Sequence, residues 1–301
     1  MGGYLLFASA SNLETDIRNL GIRVVLVSSV ALLLLVFIAG LTKNKQPHLR
    51  MPLFLLIAFV ILASTGTLFG STIYLNTKSE SGGPVHWHAD FEAWACGVQL
   101  ELRNPSGFLS NKIGNPTLHE HNDQRIHLEG VVVTKATDAT LGHFMNVVGG
   151  SISSEMMSFP LSDEVHEDET DGDTPVSDGH TSIDGFITTD ALGKKSFVGT
   201  KGEMCGDEEA SPQVFVYQFN KDDRSYSQTK LTTPSSYIIR DESLVPPGDC
   251  IIMEFDAEKS ATDKLCKQYG VRDKNRCPDF GVTGNALKEC DIEEVTREDN
   301  E

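Results

Sequence analysis

Two uncharged apolar runs near the start of the chain constrain its fold more than any other feature. Residues 24–41 and 52–75 contain 18 and 24 residues without a charged side chain. A helix crosses the hydrocarbon core of a bilayer with about 20 apolar residues, so both runs are long enough to span a membrane. The first run is not typical of a signal peptide, because residues 1–6 carry no basic side chain and the run begins only at residue 24. We therefore predict a two-helix transmembrane hairpin.

The segment between the two runs sets the expected orientation. Residues 42–51 contain no acidic side chain, and four of their side chains are basic or titrate near neutrality: Lys43, Lys45, His48 and Arg50. Because short loops rich in Lys and Arg remain in the cytoplasm, we predict that this segment is a cytoplasmic loop. Residues 1–23 then form an extracytoplasmic tail, and the chain after residue 75 lies on the same outer side. The sequence thus predicts a two-pass protein of the cell membrane, with the lipid bilayer as a partner.

The net charge is divided unevenly along the chain. The whole sequence carries 25 Lys and Arg against 43 Asp and Glu, a formal charge of −18. Five basic and two acidic side chains lie before residue 76, which leaves 20 basic and 41 acidic side chains, a balance of −21, in the rest. Nucleic-acid binding requires clustered Lys and Arg, so we expect no nucleic-acid partner. The acidity is compatible with a bound cation.

The cysteines lie on the acidic side of this division. All six follow residue 76, at Cys96, Cys205, Cys250, Cys266, Cys277 and Cys290. An even number of cysteines outside the membrane indicates disulfides formed in an oxidising compartment. The sequence contains no CxxC pair, the pattern that would favour a cysteine metal site. Fifteen pairings are possible and the spacing does not choose among them, although one local bridge among the last three cysteines fits their proximity.

The rest of the chain is organised around one large domain. We predict a linker over residues 76–84, a His-rich β domain over 85–256 and a Cys-containing helical extension with an acidic tail over 257–301. Eight acidic side chains and no Lys or Arg lie within residues 162–180, which favours a surface loop. The expected fold class is therefore a transmembrane hairpin followed by an α+β, mainly antiparallel β, extracytoplasmic domain.

Local patterns in the large domain predict two hairpins and two short helices. The predicted elements are a hairpin over 85–102 that turns at Cys96-Gly97, a hairpin over 118–133 that turns at 122–124, a helix over 141–148 capped by Thr140, and a helix over 260–269. Glycine permits the positive φ of a tight hairpin turn, and a Thr side chain can accept a hydrogen bond at a helix start.

The two predicted hairpins carry most of the chemistry. Five of the nine histidines lie between residues 86 and 127: His86, His88, His119, His121 and His127. Alternate residues of a strand share a face, so His86 and His88 lie on one face of the first hairpin together with Asp90 and Glu92. On the second hairpin, His119 and His121 share a face of one arm, and His127 and Glu129 share a face of the other. If both hairpins join one sheet, these faces converge.

Paired His-x-His strands suggest a metal site. Two imidazoles on one face and a third from a neighbouring strand can bind one ion, and imidazole with carboxylate suits a divalent transition metal, with zinc or copper as our prediction. Nearby Asp and Glu side chains can orient the imidazoles. Two other interpretations stay open: a solvent-facing sheet surface whose polar residues are incidentally His, and a pH-sensing cluster.

Four segments carry a resemblance to a known family. They are HWHADFEAWACG (86–97), TLHEHNDQRIHLEG (117–130), TLGHFMNVVGG (140–150) and PPGDCIIMEF (246–255). This pattern resembles a family of prokaryotic membrane-anchored or secreted His-rich domains of uncharacterised activity. The resemblance covers residues 84–256 and matches the five clustered histidines one by one. It implies a shared extracytoplasmic domain and brings no established activity with it.

Three classes of function are compatible with these observations. The favoured one is a binding module that captures a divalent metal through the five histidines. The second is a zinc-dependent hydrolase or hydratase, in which three His ligands leave an open position for an activated water and one of Glu92, Glu120 and Glu129 serves as general base. The third is a cell-surface interaction protein with incidental histidines.

Overall fold

A computed structural model describes residues 10–42, 46–105, 111–162, 183–220, 225–241 and 248–267. The chain divides into two compact units. One comprises the chain before Val85 together with Val131–Asp138, and the other comprises Val85–Gly130 and the chain from Ala139 onward. The predicted acidic loop after residue 162, and the C-terminal tail with Cys277 and Cys290, lie outside the described residues.

Two long apolar helices dominate the first unit, as predicted. Helix α1 (Ala10–Thr42) and helix α2 (Arg50–Lys78) are joined through a 3-10 turn at Pro47–Leu49. Both are long and apolar enough to cross a membrane. Large apolar side chains are exposed along both helices, and no residue of α2 is buried. A helix that is apolar on every side needs apolar surroundings, which this unit by itself does not supply.

In its described residues the second unit contains thirteen strands and short helices, apart from Pro84, Val131 and α3, which belong to the first unit. The strands are β1 (Pro84–Ala95), β2 (Val98–Leu100), β3 (Ile113–Gly114), β4 (Leu118–Glu120), β5 (Arg125–Val131), β6 (Ser151–Ile152), β7 (Met156–Pro160), β8 (Ile187–Thr189), β9 (Lys195–Thr200), β10 (Met204–Cys205), β11 (Glu208–Asn220), β12 (Ser225–Lys230) and β13 (Asp249–Ala257). The helices are α3 (Lys135–Asp138), α4 (Leu141–Val148) and 3-10 turns at Asp184–Phe186 and Pro234–Ser236.

These strands form two sheets of mainly antiparallel pairs, which confirms the mainly antiparallel β architecture predicted for the large domain. The larger sheet has the order β10-β11-β13-β1-β5-β4-β3, with β12 added to β11 and β2 added to β1. The smaller sheet has the order β6-β7-β9-β8. The pair β1–β13 is parallel. Strand β1 is therefore central: it lies between a partner from the predicted second hairpin and a partner about 160 residues further along the chain.

The apolar core lies on one face of the larger sheet. Phe91 of β1 contacts Phe144 of α4 and Phe159 of β7, with ring centroids 5.3 and 6.5 Å apart. Phe255 of β13 contacts Phe197 of β9 at 5.5 Å. All five rings are essentially buried. The smaller sheet and α4 thus cover this face, and alternation along β1 directs its histidines to the other face.

Both predicted hairpins and the predicted helix α4 are confirmed. Strands β1 and β2 pair antiparallel, and the turn between them has positive φ at both Cys96 and Gly97. Strands β4 and β5 also pair antiparallel around residues 122–124. At the start of α4, the Thr140 hydroxyl accepts a hydrogen bond from the backbone N–H of His143, and Gly149 ends the helix in the left-handed conformation.

Where the chain is described, two disulfides cross-link the second unit, Cys96–Cys205 and Cys250–Cys266. The expected local bridge is therefore wrong for Cys266, whose partner is the β13 residue Cys250. The helix predicted over 260–269 is wrong for residues 260–266, which are irregular. The Tyr217 hydroxyl donates to the carbonyls of Thr262 and Lys264, so tertiary contacts of this segment replace helical ones.

The two disulfides differ in the length of chain that each closes. The bonded cysteines are 109 residues apart in one and 16 residues apart in the other. Chain-entropy arguments give a stabilisation of about 4.7 kcal/mol for a loop of about 100 residues and about 3 kcal/mol for about 15. We expect Cys96→Ala/Cys205→Ala to lower the free energy of unfolding more than Cys250→Ala/Cys266→Ala. Urea unfolding of the full chain in detergent, followed by the fluorescence of Trp87 and Trp94, measures both; the opposite order would contradict this expectation.

A buried carboxylate joins β13 to the segment before it. Asp249 is 1% exposed; its Oδ2 accepts hydrogen bonds from the Tyr237 hydroxyl at 3.0 Å and from the Arg240 backbone N–H at 3.2 Å. Burial raises the pKa of the Asp249 carboxyl to about 6, against the lowering effect of these hydrogen bonds. The folded protein therefore holds this proton at a pH at which the unfolded chain has released it.

The variant Asp249→Asn tests the pH dependence that follows. A carboxyl whose pKa is higher in the folded state contributes stability that is present below about pH 4 and lost as the pH rises through about 6, up to about 3 kcal/mol for a shift of about two units. The asparagine does not titrate, so the variant does not lose this contribution. Its free energy of unfolding, relative to that of wild type, should therefore rise between pH 4 and 6. The exposed Asp207→Asn is the control. Urea midpoints at pH 4, 5, 6 and 7 give the comparison, and a constant difference would refute it.

Candidate metal centre

The histidines of β1 lie on the face opposite the apolar core. Along this face and the neighbouring strand β5, side-chain contacts join Asp90 to Arg125, His88 to His127 and His86 to Glu129. The contacts run in opposite directions along the two strands, which is the arrangement of an antiparallel pair. On this face of the sheet, alternate residues of β1 therefore lie opposite alternate residues of β5.

Strand β4 brings the remaining histidines to the same place. His119 is directly paired with His127 in the β4–β5 ladder, and His121 follows the end of β4. The separations of ring centroids are 4.4 Å for His86–His88, 4.9 Å for His88–His127, 5.6 Å for His119–His127, 4.8 Å for His119–His121 and 4.8 Å for His121–His127. All five sequence-predicted histidines therefore lie in one cluster, which we call the histidine cluster.

Three members of the cluster could hold one metal ion. One ligand atom from each of His86, His88 and His127 lies within 4.8 Å of the others. The Nε2 atoms of His86 and His88 are 3.0 Å apart, which is the distance of a hydrogen bond between the two rings. Two nitrogens bound to one tetrahedral zinc at about 2.0–2.1 Å are separated by about 3.3 Å, so the observed spacing is close to that of two ligands of one ion.

Burial keeps part of the cluster uncharged. Burial lowers the pKa of His88 to about 4, and the neighbouring His127 and His86 lower it further. Burial likewise lowers the pKa of His119 to about 4, with the charge of Lys112 as the next cause. Both imidazoles are therefore neutral at pH 7 and keep the nitrogen lone pair that a metal ion requires.

Several ring nitrogens of the cluster are buried without a hydrogen-bond partner among the described residues. They are Nδ1 of His88, Nδ1 of His127 and both ring nitrogens of His119. A buried polar atom without a partner costs about 1–3 kcal/mol. Such atoms concentrated in one cluster are typical of a site that is completed by an ion or by water.

Two carboxylates contact the cluster. Glu129 lies with Oε1 3.1 Å from Nε2 of His86 and Oε2 3.7 Å from Nε2 of His119. Asp123 lies with Oδ2 3.2 Å from Nε2 of His127. By accepting from Nε2 of His127, the Asp123 carboxylate leaves Nδ1 of that ring to bind a metal. Asp123 is absent from the site residues predicted from the sequence. Its position in the predicted turn, four residues before His127, is the signal that could have indicated it.

The other two sequence-predicted carboxylates are directed elsewhere. Glu92 accepts hydrogen bonds from the Trp94 indole and from the backbone N–H of Lys267. Glu120 accepts from the backbone N–H groups of Asp123 and Gln124, and thereby supports the turn between β4 and β5. Burial raises the pKa of both carboxyls. Of the three candidate bases, Glu129 is the one that contacts the cluster.

Beside the cluster, a buried ion pair joins β1 to β5. Arg125 Nε lies 2.7 Å from Asp90 Oδ1, and the two side chains are 8% and 1% exposed. Asp90 is two residues from His88, and Arg125 is two residues from His127. This pair therefore fixes the relative position of two strands at the point where they present the three-histidine group.

Comparisons with protein families, curated proteins and solved structures give no match to this chain. The resemblance to a family of His-rich extracytoplasmic domains thus stays a prediction. The function has to be inferred from the geometry of the site itself.

The variant Arg125→Met tests the ion pair. Removing one partner of a buried pair leaves the other charge uncompensated, at a cost of about 3–5 kcal/mol, whereas replacing both partners with apolar residues is often close to neutral. We expect Arg125→Met to destabilise the second unit strongly and Asp90→Leu/Arg125→Met to recover most of the loss. Urea unfolding followed by tryptophan fluorescence measures both, and a double variant no more stable than the single one would contradict the argument.

Proposed function

We propose that this protein is a two-pass membrane protein whose extracytoplasmic domain binds a divalent transition metal, zinc or copper, at the histidine cluster. The observation that carries the proposal is the convergence of His86, His88 and His127, with one ligand atom of each within 4.8 Å of the others. Imidazoles at this spacing form a donor set suited to zinc or copper(II).

The surroundings of the three imidazoles support the same proposal. The Asp123 carboxylate contacts Nε2 of His127, while Nδ1 of that ring is buried without a hydrogen-bond partner in the described part of the chain. A proton on Nε2 leaves the lone pair of Nδ1 available to an ion. Carboxylate–histidine–metal arrangements of this kind orient the ligand and raise its basicity.

The membrane location rests on the first unit and on the disulfides. Helices α1 and α2 are long and apolar enough to cross a bilayer. The basic segment between them favours a cytoplasmic position for their connection. Two disulfides in the second unit fit an oxidising compartment on the outer side of the membrane. These observations together favour an extracytoplasmic second unit held at the membrane.

A binding role is favoured over hydrolysis by the position of the carboxylates. Glu92 accepts hydrogen bonds from Trp94 and Lys267, and Glu120 accepts one from the β4–β5 turn. These two carboxylates therefore have structural contacts in place of the contacts that a general base would make. Glu129 has its two oxygens directed at His86 and His119. A carboxylate placed among imidazoles in this way occupies the position of a ligand, whereas a general base needs one oxygen directed at a substrate or water.

The double variant His86→Ala/His127→Ala tests metal binding directly. We expect wild-type full-length protein, stripped with a chelator in detergent and reloaded with zinc or copper(II), to retain stoichiometric metal after desalting and to melt at a higher temperature. The double variant should lose the ion held by the three-histidine group, and the stabilisation that this ion gives, because His88 is then the one imidazole left in that group. Elemental analysis and thermal melting measure the two effects.

The matched control is His143→Ala, which removes a histidine of α4 outside the cluster and should bind metal as wild type does. If the double variant keeps its metal content, the proposed site is wrong. If the wild type takes up no metal and its melting temperature is unchanged by zinc and copper, a cell-surface interaction protein with incidental histidines becomes the better interpretation.

A further inference from the structure

Two histidines of the cluster lie beyond the three that converge on one ion. His119 is fully buried, and neither of its ring nitrogens has a hydrogen-bond partner among the described residues. A neutral imidazole carries one N–H donor and one acceptor lone pair, so both capacities of this ring are unused. Placing such a ring in the interior is costly unless something further binds it.

The neighbouring His121 has the hydrogen bond that is typical of a metal ligand. Its Nδ1 lies 2.9 Å from the backbone carbonyl of Asn111. A carbonyl oxygen can only accept, so the proton of the neutral ring is on Nδ1 and the lone pair is on Nε2. Ligating histidines generally donate their second nitrogen to a backbone carbonyl or carboxylate in this manner. The rings of His119 and His121 are 4.8 Å apart.

The Glu129 carboxylate connects His119 to the first group. Its Oε1 is 3.1 Å from His86 Nε2, and its Oε2 is 3.7 Å from His119 Nε2. The two oxygens of one carboxylate thus face the two halves of the cluster. Dinuclear sites hold their ions about 3.5–4 Å apart, a distance at which one carboxylate can bind both.

We propose that His119, His121 and Glu129 form a second metal position beside the three-histidine group, with the Glu129 carboxylate bridging the two ions. This inference rests on the proposed function, because the second position shares a carboxylate with the first. Two imidazoles and one carboxylate oxygen suit zinc or copper(II), with water as a further ligand. Repulsion between two divalent ions makes the second bind more weakly than the first.

Metal stoichiometry tests the second position. The full-length chain in detergent is stripped with a chelator and titrated with zinc, and bound metal is measured by calorimetry and by elemental analysis. We expect two ions for wild type, of unequal affinity, and one for His121→Ala and for His119→Ala. Glu129→Gln should weaken the second ion at least about tenfold, the order of loss that follows removal of a supporting group in a metal site. His143→Ala should bind two.

Copper(II) gives an independent measurement of proximity. Two adjacent copper(II) ions broaden or abolish each other's paramagnetic resonance signal. We therefore expect wild type with two equivalents of copper to show a coupled or diminished spectrum, and His121→Ala with one equivalent to show the spectrum of a single isolated ion.

The outcomes separate this inference from the proposed function. One ion in wild type that His121→Ala retains would overturn the second position and leave the three-histidine site standing. Two ions in both wild type and the His121 variant would also overturn it. No metal in wild type would overturn both proposals. His119 is fully buried, so its replacement can disturb folding; the half-buried His121 then decides, with near-ultraviolet circular dichroism as the check of structure.

Discussion

The buried ion pair between Asp90 and Arg125 is the contact on which the histidine cluster most depends. It joins β1 to β5 at 2.7 Å with both side chains almost fully buried. Because side chains alternate along a strand, a shift of one residue between these strands would turn the partners of His88 onto the apolar core. Breaking such a pair is costly, whereas its net contribution to stability is small. We infer that its main effect is to select the one register in which imidazoles from both strands meet.

The parts of this architecture that could be predicted from the sequence are those encoded locally. Alternation over residues 86–93 gives the two faces of β1, and the turns and the capped helix α4 follow from single residues such as Gly97 and Thr140. The parallel pairing of β1 with β13 depends on chain segments about 160 residues apart, which no local pattern encodes. The helix expected over 260–269 fails for the same reason: helical periodicity cannot show that a disulfide and the Tyr217 hydroxyl hold this segment in an irregular path.

The candidate site shows the same division between local and distant information. Its histidines could be predicted because each hairpin places its own pair on one face. The roles of the acidic residues could not, because they depend on which donors lie nearby in the fold. Glu120 supports a turn through two backbone N–H groups, and Glu92 meets Lys267, 175 residues away in sequence. Glu129 differs because its nearest neighbours are histidines of two other strands.

The exposed fractions of the histidine side chains indicate the order in which an incoming ion would meet them. The side chain of His86 is 60% exposed, that of His127 is 12% exposed, and that of His119 is fully buried. An ion attracted by the acidic charge of the chain after residue 75 would meet His86 first, since a cation approaches through solvent before it loses its water. Passage inward would then follow the Glu129 carboxylate, which contacts both His86 and His119. His119 would gain the most from a bound cation, because both of its ring nitrogens are buried and have no hydrogen-bond partner among the described residues. In the proposed site, the exposed His86 would therefore govern how fast an ion is captured, and the buried imidazoles would govern how slowly it is released.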